Sequence, residues 1–289
     1  MWTCFTDTDT DITPEVAAEY GYKLISMPYN VDAKPVYPFV DYDRFDSKAF
    51  YDMLRSGVLP TTSAISEDEY IKYFEPEFAA GNDIFYVHFS AAMTMTFDNM
   101  HKALDSLKAK YPDRKFLEVD TKGITILGYI IVREIGDLLK SGRTPEEIVE
   151  WAKTEVDHYT QYFFADDLKF FRRSGRVSGI AATMGGLIGI RPIIYMSQEG
   201  KMVSIGKEKG RNNALNRLLA FAEELGDDVK NHHFIVGHTD APELAETMAA
   251  MLRDKFGQDL EIEFVVTNPT AGSHCGPNGV GIAFHSIHR

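Results

Sequence analysis

The chain has 289 residues, room for one large domain or two ordinary ones at roughly 100–200 residues each. Hydrophobic residues make up 44% and charged residues 25%, a composition that argues against a disordered, collagen-like or disulfide-stapled chain. Thirty Lys and Arg against 43 Asp and Glu give a formal net charge of −13, a field that repels nucleic acid and anionic membrane surfaces.

From the start, short apolar runs alternate with helix-patterned segments. Residues 2–6 read as a buried strand, Thr13-Pro14-Glu15 as a helix cap with Pro at the first helical position, and 23–27 as the next strand. Helices are expected over 46–56, 66–78 and 97–107, and strands over 84–89 and 116–119. Strands joined by helices imply a layered α/β/α domain with a largely parallel sheet. Two further helices, 124–139 and 146–156, flank the break at Gly142-Arg143-Thr144-Pro145. Strands at 161–164, 192–196, 202–205, 234–237, 261–266 and 282–284, with helices at 212–224 and 242–256, then read as a carboxy-terminal α/β domain with a mixed sheet. Residues 198–201 form a hairpin turn in this reading. The expected division is 1–158 and 159–289.

Cys4 and Cys275 lie too far apart in sequence to form a metal or redox motif, and a reduced cytoplasm fits them. The amino terminus lacks the basic stretch of a signal peptide. The longest uncharged run, 177–190, is shorter than the roughly 20 residues a membrane span requires, so no stable membrane insertion is expected.

The charge is unevenly spread. Between Lys169 and Arg217 stand ten Lys and Arg and two acids, leaving 20 basic and 41 acidic residues elsewhere. This cationic island sits in an otherwise anionic chain.

Five segments carry candidate chemistry. Asp7-Thr8-Asp9-Thr10-Asp11 follows the first strand, where α/β folds place active sites. An Asp-x-Asp there resembles the nucleophile and acid/base pair of haloacid-dehalogenase-type phosphatases, with Asp166 and Asp167 as candidate Mg²⁺ ligands. The Gly-Thr that normally follows that motif is absent, and turn formation with a cap at Thr13 is the preferred reading of these residues. Pro60-Thr61-Thr62-Ser63, and the stretch holding Ser90, Thr94 and Thr96, place hydroxyls before helices, where backbone N–H groups and the helix dipole favour an oxyanion. Arg172-Arg173-Ser174-Gly175-Arg176 leads into the small-residue run 177–190, which suits a buried helix or a groove for an apolar ligand with an acidic head. Residues 271–279 read as a glycine-rich loop in which His274 stands where backbone N–H groups can approach a ligand. Covalent catalysis by Cys275 with His274 lacks any supporting signature.

Taken in order, Thr6-Asp7-Thr8, Leu59-Pro60-Thr61-Thr62-Ser63, Phe170-Phe171-Arg172-Arg173-Ser174-Gly175-Arg176-Val177 and Gly272-Ser273-His274-Cys275-Gly276-Pro277 resemble the DegV family of bacterial lipid-binding proteins over nearly the whole chain. The resemblance implies a two-domain α/β fold holding a long-chain fatty acid between its domains, with no cofactor, no metal and no catalytic residue of its own. It implies a carrier subunit whose bound carboxylate is phosphorylated by a separate ATP-dependent fatty acid kinase subunit. Thr61 or Thr62, Thr94 and His274 would hold the carboxylate. Ser63, Ser90, Gly272, Ser273 and Gly276 would support the ligand loops. Arg176, Lys209 and Arg211 would face the kinase and the phosphate. Departures from the family pattern are Thr94-Met95-Thr96 for Ser-Gly-Thr, with Met95 expected to narrow the pocket, and Ser174, Cys275 and Asn278 for Gly, Thr and Gly. The competing reading is the Mg²⁺-dependent phosphatase on Asp7 and Asp9.

Overall fold

The computed structural model describes residues 1–179 and 189–289. Its first sheet is built from β1 (Trp2–Asp7), β2 (Tyr22–Ile25), β6 (Asp83–His88) and β7 (Phe116–Asp120), all parallel in the order β2-β1-β6-β7. The connecting helices begin where the sequence places their caps. The Thr13 hydroxyl accepts from Val16 N–H and Pro14 opens α1 (Pro14–Tyr20), because proline's missing N–H costs nothing at that position. Ser66 and Glu69 form a reciprocal capping box at α3 (Glu67–Ala79), and Thr144 and Glu147 do the same at α6 (Pro145–Glu155).

The second sheet is mixed and seven-stranded. It contains β8 (Tyr159–Phe164), β9 (Val177–Ser178), β10 (Ile190–Met196), β11 (Met202–Lys209), β12 (Ile235–His238), β13 (Glu263–Val266) and β14 (Val280–His285), ordered β13-β12-β14-β8-β10-β11-β9. The hairpin expected at 198–201 joins antiparallel β10 and β11. Its Gly200 takes a positive φ of 74° and packs so closely on Ser90 that a side chain there would collide with the serine Oγ, which donates to the Gly200 carbonyl at 2.7 Å. Helices α8 (Arg211–Leu225) and α9 (Pro242–Phe256) pack on this sheet. Among the described residues no helix is long and apolar enough to cross a membrane.

Between the sheets lies α5 (Ile126–Lys140). It touches β6 and the turn after β1 on one side and β8, β12 and β14 on the other. That position explains its sequence: Ile126 to Val132 are all buried, which a helix needs when both flanks face sheets rather than water.

A third, three-stranded sheet falls outside the sequence reading. It comprises β3 (Tyr29–Val31), β4 (Lys34–Val36) and β5 (Thr61–Thr62), ordered β4-β3-β5. Strands of two or three residues, one carrying Pro35, show no usable alternation. Against this sheet and α2 (Ser47–Arg55) packs α10 (Pro269–Cys275). The sequence reading treated most of that segment as a glycine-rich loop; it is a helix, begun by the Asn268 side chain accepting from Ala271 N–H and by Pro269 at the first position.

Asn268 also anchors α10 to the other half of the chain. Its backbone N–H and its side-chain Nδ2 donate to Asp11 Oδ1 at 2.8 and 2.7 Å, across 257 residues. Asn268→Ala removes the helix cap and one donor to a buried carboxyl, and we expect it to cost about 2–3 kcal/mol. Urea denaturation checks this; an unchanged midpoint contradicts the assignment.

Candidate functional site

A pocket with about 1050 Å³ of empty space, its open mouth included, lies among the three sheets. Its walls come from both halves of the chain: Met27, Phe89, Met93 and Ile124 from the first, Phe163, Phe164, Met202 and Val280 from the second. Much of the small-residue run expected to form an acyl groove, 180–188, lies outside the described residues.

Thr62 and His274, 212 positions apart, meet in this pocket. The Thr62 hydroxyl and His274 Nε2 share a hydrogen bond of 2.9 Å, whereas His274 Nδ1 is buried without a partner. The strand β5 aims Thr62 inward by pairing Tyr29 with Thr62 and Asn30 with Thr61. Alternation then turns Thr61 to the opposite face, where it is exposed and does not line the pocket, so of the two candidate threonines only Thr62 is placed to meet a ligand. Thr94 and Ser63 also line the pocket, and Thr94 Oγ1 accepts from Thr96 N–H at 3.1 Å.

Burial, reinforced by the nearby Arg176 and Arg173 charges, lowers the His274 pKa to about 4. The ring is therefore neutral at pH 7. With the proton on Nε2, the imidazole donates to Thr62 and the threonine O–H remains free; with the proton on Nδ1, Thr62 donates to the ring and Nδ1–H remains free. Either tautomer leaves the pair one donor for an acceptor in the pocket.

Arg176 lines the pocket and is exposed, its guanidinium donating to the Ser174 carbonyl at 2.9 Å. Arg173, which the sequence reading gave no role, donates to the carbonyls of Leu59 and Pro60 and so holds the loop that carries Thr62. Lys209 is exposed at the end of β11 and lies off the pocket. Arg211 is committed elsewhere: its guanidinium grips Asp166 at 3.1 and 2.8 Å, and Arg191 reaches the same carboxylate at 2.5 Å. That double pairing holds the Asp166 pKa below its usual value despite its burial.

Several residues expected to support the ligand loops make packing contacts. Ser90 ties the hairpin at Gly200, and Ser273 donates to the Pro269 carbonyl inside α10. Gly272 lets α10 approach the Tyr51 ring, and Gly276 lets the chain pass the Phe170 ring. None of these four residues lines the pocket. Met95 is 74% exposed and does not narrow the cavity as expected.

The acidic segment after β1 is a structural turn. Asp7 accepts from Asp9 N–H, Phe89 N–H and the Tyr86 hydroxyl, and burial raises its pKa to about 7 against those bonds. A carboxyl so engaged is no free nucleophile, and it does not line the pocket. Asp167 caps Lys169 N–H and pairs with the Lys169 ammonium. Among the described residues no three His, Cys, Asp or Glu side chains gather as metal ligands, so the phosphatase reading finds no support. The Cys275 thiol, pushed up to about 12 by burial and by Asp11, is no thiolate at neutral pH.

The family model described as "Uncharacterised protein, DegV family" matches residues 1–286. The chain belongs to the DegV family. A DegV domain-containing protein of Clostridium perfringens is 29% identical over 281 residues, covering 97% of this chain and 96% of the relative. Among solved structures, a stearic-acid-binding protein from Eubacterium ventriosum superposes with a TM-score of 0.86 at 17% identity, covering 99% and 98% of the two chains. DegV of Bacillus subtilis, described as a fatty acid binding protein, gives a TM-score of 0.82 at 21% identity and 99% coverage of both. These likenesses establish that this DegV-family chain shares their fold.

The depressed His274 pKa has a measurable sign. The unfolded ring takes up a proton near pH 6.5 and the folded ring only near 4, so this residue's contribution to stability falls as pH drops from 6.5 toward 4. In ¹H–¹⁵N NMR spectra the His274 ring signals should stay at neutral positions from pH 8 to 5; a midpoint near 6.5 contradicts the assignment.

Proposed function

We propose that this protein binds one long-chain fatty acid with its carboxylate at Thr62, Thr94 and His274, and presents that carboxylate to a separate ATP-dependent kinase subunit. The observation that carries the reading is the neutral Thr62–His274 pair set in a pocket whose wall also includes Met27, Phe89, Met93, Phe163 and Phe164, in a family whose solved members include the Bacillus subtilis fatty acid binding protein described above. Burying the tail is favourable by roughly 0.8 kcal/mol per CH₂, so the hydrocarbon supplies the affinity and the head group can be held lightly.

Light holding suits the proposed transfer. Hydroxyl and neutral imidazole donors orient a carboxylate without the tight ion pair that would quench its nucleophilicity. One carboxylate oxygen attacks the γ-phosphorus of ATP on the partner, the bond to the β,γ-bridging oxygen breaks, and ADP leaves with an acyl phosphate remaining in the carrier. The exposed guanidinium of Arg176 is placed to draw the incoming phosphate, and Lys209 to attract an acidic partner surface. Arg211, expected in the same role, is engaged by Asp166, whose single carboxylate it shares with Arg191. The carrier itself contributes no catalytic group in this reading, and the cytoplasm is its proposed location. The division at residue 158 belongs to the same proposal: the strands of the four-stranded sheet all precede it, and those of the seven-stranded sheet all follow it.

Native mass spectrometry of purified protein, with analysis of the extracted lipid, should show one long-chain fatty acid per chain. Thr62→Ala and His274→Ala should each weaken palmitate binding roughly 10–150-fold, the value of one hydrogen bond to a charged group. Protein that carries no lipid and takes up no added palmitate overturns the reading. With a fatty acid kinase subunit and ATP, Arg176→Ala should slow acyl-phosphate formation more than it weakens palmitate binding; equal effects on both contradict the phosphate-facing role.

A further inference from the structure

The pocket has a polar patch that the carboxylate reading leaves unused. Asp9, Thr125 and Gln161 all line it. Asp9 is only 5% exposed, and its Oδ1 is buried with no hydrogen-bond partner; both oxygens of Asp7 are served by donors, whereas Asp11 is served at Oδ1 alone, its buried Oδ2 likewise lacking a partner, but Asp11 does not line the pocket. The backbone around it is tightly fixed. Thr125 N–H donates to the Asp9 carbonyl at 2.7 Å, Gln161 Nε2 donates to Thr125 Oγ1 at 3.2 Å, and Leu127 N–H donates to Gln161 Oε1 at 3.0 Å. The Thr125 hydroxyl, already an acceptor, keeps its own proton for a further acceptor. Thr125 also holds a positive φ of 55°, which a β-branched residue adopts only under constraint.

Hydrocarbon gives such a group nothing to bond, and a buried polar group without a partner is costly. An anionic group is equally ill suited. Burial, with the Asp7 and Asp11 carboxyls close by, raises the Asp9 pKa well above its ordinary value, which favours the neutral acid, a form able both to donate and to accept. The complementary ligand atom is an uncharged oxygen.

We propose that Asp9, Thr125 and Gln161 form a second polar subsite in the pocket that binds a hydroxyl or keto oxygen borne on the acyl chain, making oxygenated fatty acids the preferred ligands. The inference rests on the fatty-acid reading and deepens it. It is tested by measuring dissociation constants for stearic acid, a positional series of monohydroxystearic acids and octadecanedioic acid on the full-length protein. At least one hydroxy isomer should bind roughly tenfold more tightly than stearic acid, as one well-made buried hydrogen bond allows, and the dicarboxylic acid should gain nothing. Asp9→Leu should reverse the order, leaving stearic acid the tighter ligand, whereas Asp9→Asn, which keeps a donor and an acceptor, should retain a preference of about threefold or more. Binding of stearic acid with no preferred hydroxy isomer, or a preference that survives Asp9→Leu, overturns this inference and leaves the fatty-acid reading intact. Tighter binding of the dicarboxylic acid than of every hydroxy isomer overturns it as well. Failure of all these acids to bind overturns both.

Discussion

One buried carboxyl joins the two ends of this chain. Asp11, at the end of the turn after the first strand, takes two hydrogen bonds from Asn268, and Asn268 in turn starts the short helix that ends in His274 and Cys275. That joint helps fix where His274 sits relative to Thr62. The Tyr51 hydroxyl, donating to the Thr267 carbonyl, and Thr270, donating to the Met27 carbonyl, secure the same helix from α2 and from the loop before β3. Asp11 is buried with its pKa raised to about 7, and such a group is stable only where its partners are built in. The site is thus a product of long-range assembly.

The acidic run after β1 then divides into three different jobs. Asp7 closes the turn and accepts from β6 and its end, Asp11 clamps the helix of His274, and Asp9 faces the pocket with an unused oxygen. Their like charges and their burial push in the same direction, toward protonated acids. A motif that reads as metal-dependent phosphatase chemistry in one dimension thus finds no support in three. Asp7 and Asp11 are engaged by backbone and side-chain donors.

Most of the fold was legible in the sequence because its elements are long and their ends are marked. The caps at Thr13, Ser66 and Thr144, the proline at each first helical position of α1 and α6, and the hairpin at Gly200 all fall where local chemistry puts them. The three-stranded sheet was not legible, since β5 is two residues long and owes its strand geometry to pairing with β3. The helix of His274 was missed because three glycines and a proline lie within 271–279, although Asn268-Pro269 was a readable start signal. Within the site, Thr62, Thr94, His274 and Arg176 were found through the family resemblance. The choice of Thr62 over Thr61, the loss of Arg211 to Asp166 and the exposure of Met95 depend on strand facing and tertiary partners, which residue identity alone does not encode. The positive segment likewise resolves into pieces: Arg173 braces a loop, Arg191 and Arg211 share the single carboxylate of Asp166, and Arg217 stacks on Phe221.

The central claim is that a fatty acid lies with its carboxylate at Thr62 and His274 and its chain directed elsewhere in the pocket. The most direct measurement is ¹³C NMR of palmitate labelled at the carboxyl carbon and bound to the protein. The account predicts one bound carboxyl resonance at one equivalent of ligand, displaced by Thr62→Ala and left in place by Asp9→Leu. A bound resonance that moves with Asp9→Leu and ignores Thr62→Ala would contradict it, placing the head group at the opposite polar patch.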